Sequence, residues 1–316
     1  MREIGGYLEL DTYSLPMLHE GALALNCGRN ALAYLLRAKG IRRIRVPKLI
    51  CNSVIGVCER EHTACTLYGV GEDLLPKEDL RLEEDEWLYV VNYYSQIPNE
   101  TLARIAARYG RVIADNAQSY FQPPLPGTDT IYTCRKYFGV ADGAFLYTDA
   151  AEIDLPVDES YARMGYVLGR YERPASEFYA AYTENNRFFS TEPVKRMSKL
   201  TNNLLHAIDY AQVKKRREAN YALLHDAFGE QNLLRVSGTG TFMYPLLIEN
   251  GAEIRKRLLE EKIYIPTLWP GVLTRCKAGD VEYTLTTDLL PLPIDQRYGE
   301  AEMNDMKEII RKCMRI

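Results

Sequence analysis

Three short segments in the first half of this 316-residue chain hold residue types that could do chemistry together. The first is Gly28-Arg29-Asn30-Ala31, at the expected start of a helix. Unpaired backbone N–H groups and the helix dipole suit such a place to a phosphate, although turn-to-helix junctions are commonplace. The second is Asp115, ending the apolar run VIAD. In open α/β sheets ligands sit outside the carboxyl ends of the strands, so a carboxylate there either faces a ligand or caps the next turn. The third is Lys136, 21 residues later in TIYTCRKYFGVADGAF, among Tyr132, Tyr137 and Phe138. An apolar surround lowers a lysine's pKa, and the neutral amine is a nucleophile able to form a Schiff base. The plainer reading of Lys136 alone is a loop lysine whose stem covers an aromatic patch.

Each segment is unremarkable by itself, but their order is specific. A phosphate grip, an acid and a Schiff-base lysine are what pyridoxal phosphate (PLP) requires of a protein. The acid pairs with the protonated ring nitrogen, and the lysine holds the aldehyde and later moves the proton.

The pattern resembles that of the DegT/StrS-like sugar aminotransferases, of PLP fold type I. The likeness is carried by GRNALAYLL (28–36), VPKLICNSV (46–54), VIADNAQS (112–119), YTCRKYFGVADGAFLY (132–147) and LPLPIDQRYGEAEMNDM (290–306), and it runs over nearly the whole chain. It implies that Asp115 pairs with the pyridine nitrogen, that Gln118 lies near the ring hydroxyl and that Lys136 carries the cofactor. Gly28, Arg29 and Asn30 are expected at the phosphate, together with Thr133 or Cys134 where the family carries a serine. Cys51 aligns with an aromatic residue that stacks on the ring, and Val194 with an asparagine that reaches the neighbouring subunit's phosphate site. Arg135 adds a charge to the phosphate or substrate region. Tyr93, Tyr94 and Gln96, after a strand end, and Trp269 are candidates for substrate contact.

The elements that must position these residues read as an α/β domain with a mainly parallel sheet. Strands are expected over 43–47, 63–69, 86–92, 111–114, 129–133 and 144–148, with helices after residue 28 and over 52–60 and 99–109. A helical extension follows to about 195. One long helix over 198–228 is expected to lead into a smaller α+β unit with strands at 241–248 and 262–266 and helices at 251–261 and 299–313. The expected division is 1–197, the large cofactor-binding domain, and 198–316. The run Lys214-Lys215-Arg216-Arg217 reads as a solvated helix face.

Composition narrows the function. The net charge of −4 gives no basic field for nucleic acid. No apolar run approaches the ~20 residues of a membrane span. Seven scattered cysteines without a C-x-x-C pair fit reduced thiols in the cytoplasm. Four histidines, none at metal-motif spacing, give no metal site. The reading is a homodimeric aminotransferase moving an amino group from glutamate or glutamine to a small keto-sugar, nucleotide-linked by resemblance. The alternatives are another PLP reaction, such as dehydration, and a non-catalytic PLP- or sugar-binding homologue.

Overall fold

The computed structural model describes residues 4–314. The first half builds one seven-stranded sheet from β1 (Leu23–Leu25), α1 (Gly28–Ala38), β2 (Arg43–Pro47), α2 (Asn52–Arg60), β3 (Ala64–Tyr68), β4 (Trp87–Val91), α3 (Asn99–Tyr109), β5 (Val112–Asp115), β6 (Asp129–Thr133) and β7 (Ala144–Tyr147). The strand order is β1-β7-β6-β5-β4-β2-β3. Strands β2 to β6 run parallel, while β7 is antiparallel to both β6 and β1. Leu88, Val90, Ile113, Ala114, Ile131 and Tyr132 are buried, as expected of central strands covered on both faces. Five parallel strands therefore end at one edge, which carries residues 48–51, 92–95, 115–118 and 134–137 together.

The extension holds α4 (Gly165–Glu172) and α5 (Tyr179–Phe188). The expected long helix is two helices, α6 (Lys199–Leu205) and α7 (Tyr210–Phe228). The Ser198 hydroxyl caps the start of α6 by accepting from the Thr201 N–H, and at the break the Asp209 carboxylate starts α7 anew by accepting from the Gln212 N–H. From α7 the chain enters a second core, around Tyr221, Leu224, Tyr244, Leu258, Leu292 and Ile310. This unit is completed by β8 (Met243–Leu247), α8 (Gly251–Glu260), α9 (Val281–Asp288), β9 (Leu289–Pro293) and α10 (Glu300–Met314).

The strand expected at 262–266 does not form, and Lys262 takes a left-handed conformation, with φ of 61°. The partner of β8 is instead β9, despite Pro291 and Pro293. Pro245 lies directly opposite Pro291, and Pro293 lies opposite Met243 two residues away in the same phase. All three prolines thus fall on pairs that need no N–H from them in an antiparallel ladder.

Candidate active site

Lys136 sits in the hairpin that joins β6 to β7. Glycine is required at its far end: Gly143 has φ of 111°, and an added Cβ would lie 3.0 Å from Thr201 and 3.1 Å from Cys134. The neighbouring Asp142 is fully buried and works structurally. Its carboxylate accepts from the Ser198 N–H at 2.8 Å, the Ser198 hydroxyl at 2.8 Å and the Thr201 hydroxyl. The hairpin is thereby bolted to the first turn of α6.

Lys136 is exposed, and its amine lies 5.6 Å from the centre of the Phe242 ring. The protein mass around it pulls its pKa below the usual lysine value, while the nearby Asp115 and Cys51 pull the other way. The amine thus keeps access to solvent while the protein around it disfavours its charged form. Asp115 ends β5, half-buried, with both carboxylate oxygens held. The Tyr89 hydroxyl donates to Oδ2 at 2.9 Å, and the Ala117 N–H donates to Oδ1 at 2.8 Å. Burial, then the Asp115 charge, push the Tyr89 pKa well above its ordinary value, so this phenol stays a donor. Gln118 is buried, and its Oε1 accepts from the Tyr94 N–H at 2.8 Å. Its Nε2 has no partner among the described residues.

At the amino end of α1, Gly28 packs beside Thr133, with 3.8 Å from an added Cβ to the Thr133 Cβ. The helix has no acidic residue in its first turn, and its cap residue, Cys27, makes no side-chain capping hydrogen bond. Burial raises the Cys27 thiol to about 11, against the pull of the Asn30 and Arg29 backbone N–H groups and of the Arg29 and Arg135 charges. Arg29 donates to the Asn186 carbonyl at 2.8 Å, and Arg135 donates to the Asn186 side-chain oxygen at 2.7 Å.

Several expectations change here. The Asn30 side chain is fully buried and committed: it donates to Asn26, Glu192 and Pro193 and accepts from Arg60 at 2.9 Å. Only its backbone could meet a ligand. The Cys134 thiol is buried on the side of Tyr120, which leaves Thr133 as the residue of that pair beside Gly28. Tyr93 is buried, donates its hydroxyl to the Leu49 carbonyl at 2.6 Å and packs edge-on against Trp269, so its expected contact with substrate is lost. Trp269 is half-buried, in a left-handed conformation. Cys51 caps α2 near Lys136, in a loop whose carbonyls at Lys48 and Ile50 accept from Arg275. Val194 is buried.

Arg217, expected on a solvated face, is 1 % exposed. It donates to Gln296, Thr241 and Tyr137 and lies 4.6 Å from the Tyr137 ring centre, joining both cores to the residue after Lys136. Tyr89, Asn186 and Phe242 also escape a reading of the sequence. Of these only Tyr89 carries a signal, a tyrosine within a central strand, since a buried hydroxyl must find a partner.

No family model matches the sequence, and no curated protein does. Many solved structures match in fold. One is a DegT DnrJ EryC1 StrS aminotransferase from Brucella abortus, 16 % identical, with 92 % of this chain and 86 % of that chain covered and a TM-score of 0.63. Another is NtdA from Bacillus subtilis with bound cofactor PMP, 14 % identical, with coverage of 93 % and 73 % and a TM-score of 0.66. A third is the sugar aminotransferase CalS13 from Micromonospora echinospora, 17 % identical, with coverage of 92 % and 87 % and a TM-score of 0.61. The chain has the fold of these aminotransferases: a mixed, mostly parallel seven-stranded sheet flanked by helices, with a smaller C-terminal unit.

Proposed function

We propose that this chain is a PLP-dependent aminotransferase that moves an amino group from glutamate or glutamine to a nucleotide-linked keto-sugar. The observation that carries this reading is one accessible amine, Lys136, that shares the sheet's carboxyl edge with a fixed carboxylate, Asp115. The residues fit the cofactor on a further count: a buried guanidinium N–H, Nε of Arg135, lacks a partner beside the amino end of α1. When bound, PLP supplies the electron sink for carbon-centred negative charge. Lys136 would hold the cofactor at rest and, when free, serve as the base and acid that moves a proton between the substrate carbon bearing nitrogen and the adjoining carbon of the cofactor. Its lowered pKa serves both tasks, because only the neutral amine attacks a carbonyl or takes up a proton. Asp115, steadied by Tyr89 and the Ala117 N–H, would pair with the ring nitrogen. Gln118 has an amide nitrogen without a partner among the described residues, which would serve the ring hydroxyl, and Cys51, near Lys136, would lie against the ring.

A homodimer accompanies this proposal. Leu168, Tyr171, Tyr179 and Tyr182 are exposed on α4 and α5, an apolar face suited to a second copy. Among the described residues no helix is long and apolar enough to cross a membrane, and all seven cysteines are free, which supports a cytoplasmic location.

The test begins with PLP added to the purified chain. A near-visible band should form, and borohydride should fix the added mass on the peptide holding Lys136. Lys136→Ala should form neither. Nucleotide-linked keto-sugars are then supplied with glutamate, and an aminated product is sought by mass. Adduct on other lysines, or a band unchanged in Lys136→Ala, refutes the assignment.

A further inference from the structure

We propose that Arg135 and Arg29, both held by Asn186, form an anion cradle within a single chain that grips the phosphate of the cofactor, and that Asn186 is its positioning residue. The inference rests on the reading of Lys136 given above and adds to it a role for the helical extension.

The two guanidinium groups are brought together by one neutral residue. Arg29 Nη1 bonds to the Asn186 carbonyl at 2.8 Å, and Arg135 Nη2 bonds to Asn186 Oδ1 at 2.7 Å. Neither arginine has a carboxylate partner among the described residues. Two positive charges held side by side without a counter-charge repel each other, and an anion between them removes that cost. Arg135 also lies against the Phe189 ring, at 5.2 Å, and its Nε–H is buried with no acceptor among the described residues. A buried charged donor left unpaired is unfavourable, and an incoming oxyanion would satisfy it. The Arg29 and Arg135 charges also converge on the Cys27 thiol, which marks the amino end of α1. That end has no acidic residue of its own.

Two guanidiniums tied to one residue thus act on the same helix terminus, the one that Cys27 marks. A phosphate monoester, a dianion with three terminal oxygens, is the ligand whose charge and donor demand they match. The position fits as well. Arg135 and Lys136 are consecutive, and the aldehyde and phosphomethyl groups of PLP stand on neighbouring ring carbons. One residue would receive the phosphate and the next the aldehyde. Asn186 lies in α5, outside the sheet, so the extension takes part in building the cofactor site.

The experiment compares PLP with pyridoxal, which has the aldehyde but no phosphate, on the full chain. The readouts are the visible band and the mass of the borohydride-reduced adduct. Wild type should prefer PLP strongly. Arg135→Gln should lose about 10- to 100-fold in PLP affinity, the effect of one hydrogen bond to a charged group, with pyridoxal binding unchanged. Arg135→Lys should recover part of the loss, and Asn186→Ala should fall between Arg135→Gln and wild type. Inorganic phosphate should raise the melting temperature of wild type but not that of Arg135→Gln. An unaltered PLP-to-pyridoxal ratio in Arg135→Gln, or an equal loss of both compounds, overturns the cradle. If neither compound reacts at Lys136 in wild type, the cofactor reading fails, and the phosphate arm still decides the cradle: no shift in wild type refutes it.

Discussion

Replacing Asp142 by alanine tests whether the lysine hairpin is held by the bolt seen in the structure. The carboxylate takes three donors in a fully buried place, and those donors fare differently once it is gone. The Ser198 hydroxyl can turn to Ser160, 2.7 Å away. The Thr201 hydroxyl can turn to its own helix. The Ser198 N–H cannot turn, and an orphaned buried donor costs about 1–3 kcal/mol. Relief of a buried charge with no cationic partner among the described residues offsets part of this, so the net loss should be about 2 kcal/mol. Asp142→Asn keeps an acceptor and should lose about half as much, near 1 kcal/mol. Burial lifts the Asp142 carboxyl above its ordinary 3.8, against the pull of its Thr201 and Ser198 donors. The folded state therefore binds a proton more tightly than the unfolded state does. The sign follows: wild type loses stability from this group as pH rises through 3.8 and the folded value, and holds a constant deficit at neutral pH. Urea midpoints of wild type, Asp142→Asn and Asp142→Ala across pH 3.5 to 7 provide the measurement. Wild type should gain on Asp142→Asn as the solution is acidified. An Asp142→Ala variant within about 0.5 kcal/mol of wild type, or one more stable than Asp142→Asn, would show that the bolt does not hold the hairpin.

The remaining tests address the site and the core beneath it. The rate at which Lys136 forms an adduct with pyridoxal should rise with pH and reach its midpoint below the ordinary lysine value of 10.5; a midpoint at or above that value removes the desolvated amine from the reading. Asp115→Asn should slow amino transfer by about 100-fold or more, as loss of a fixed electrostatic partner does. Tyr89→Phe, which leaves Oδ2 without its donor, should have a smaller effect in the same direction, and single-turnover kinetics would rank the two. His19 is buried, and its pKa is lowered to about 4 by burial, against the hydrogen bond that its Nε2 makes to the Tyr120 carbonyl at 2.9 Å. The unfolded chain thus takes up this proton first, and stability is lost as pH falls from 6.5 through 4, by roughly 3 kcal/mol in full. His19→Phe should flatten that part of the stability profile, and an unchanged slope counts against a neutral buried imidazole.

Much of the first half of the chain could be read from the sequence because its signals are local. Strand β4 and helix α3 declare themselves by apolar runs and helical spacing within about ten residues. The misreadings arise where one local signal conceals another. Strand β9 follows α9 directly and holds two prolines, which argue against a strand until the register shows that their missing N–H groups face away from the ladder. The span 198–228 is polar and helical in composition throughout, and its break at 206–209 goes with the Asp209 side chain, which caps a new helix instead of continuing the old one. Strand β1 has three residues, too few for any period to be seen.

The site divides along the same line, between residues that bear chemistry and residues that hold them. Asp115 and Lys136 stand out because an acid at a strand end and a lysine among aromatics are locally anomalous. Tyr89, Asn186 and Arg217 act across 26, 51 and 80 positions, and nothing nearby in sequence marks them. Arg217 is actively hidden, since three neighbouring charges make it look like part of a solvated face while its own side chain is buried. Its burial also explains how the two cores meet. With no carboxylate in contact among the described residues, its charge is spread over the carbonyls of Thr241 and Tyr137, the Gln296 amide oxygen and the Tyr137 ring, and each of these lies beside Lys136 or at an end of β8 or β9. A guanidinium can serve all of these at once because its donors form a rigid planar fork. Lysine at position 217 would have one ammonium to point in one direction. Arg217→Lys should therefore cost stability nearly as much as Arg217→Met and shift the pH midpoint of Lys136 reactivity. A lysine variant that matches wild type in both would mean that charge, not the fork, joins the halves of the molecule.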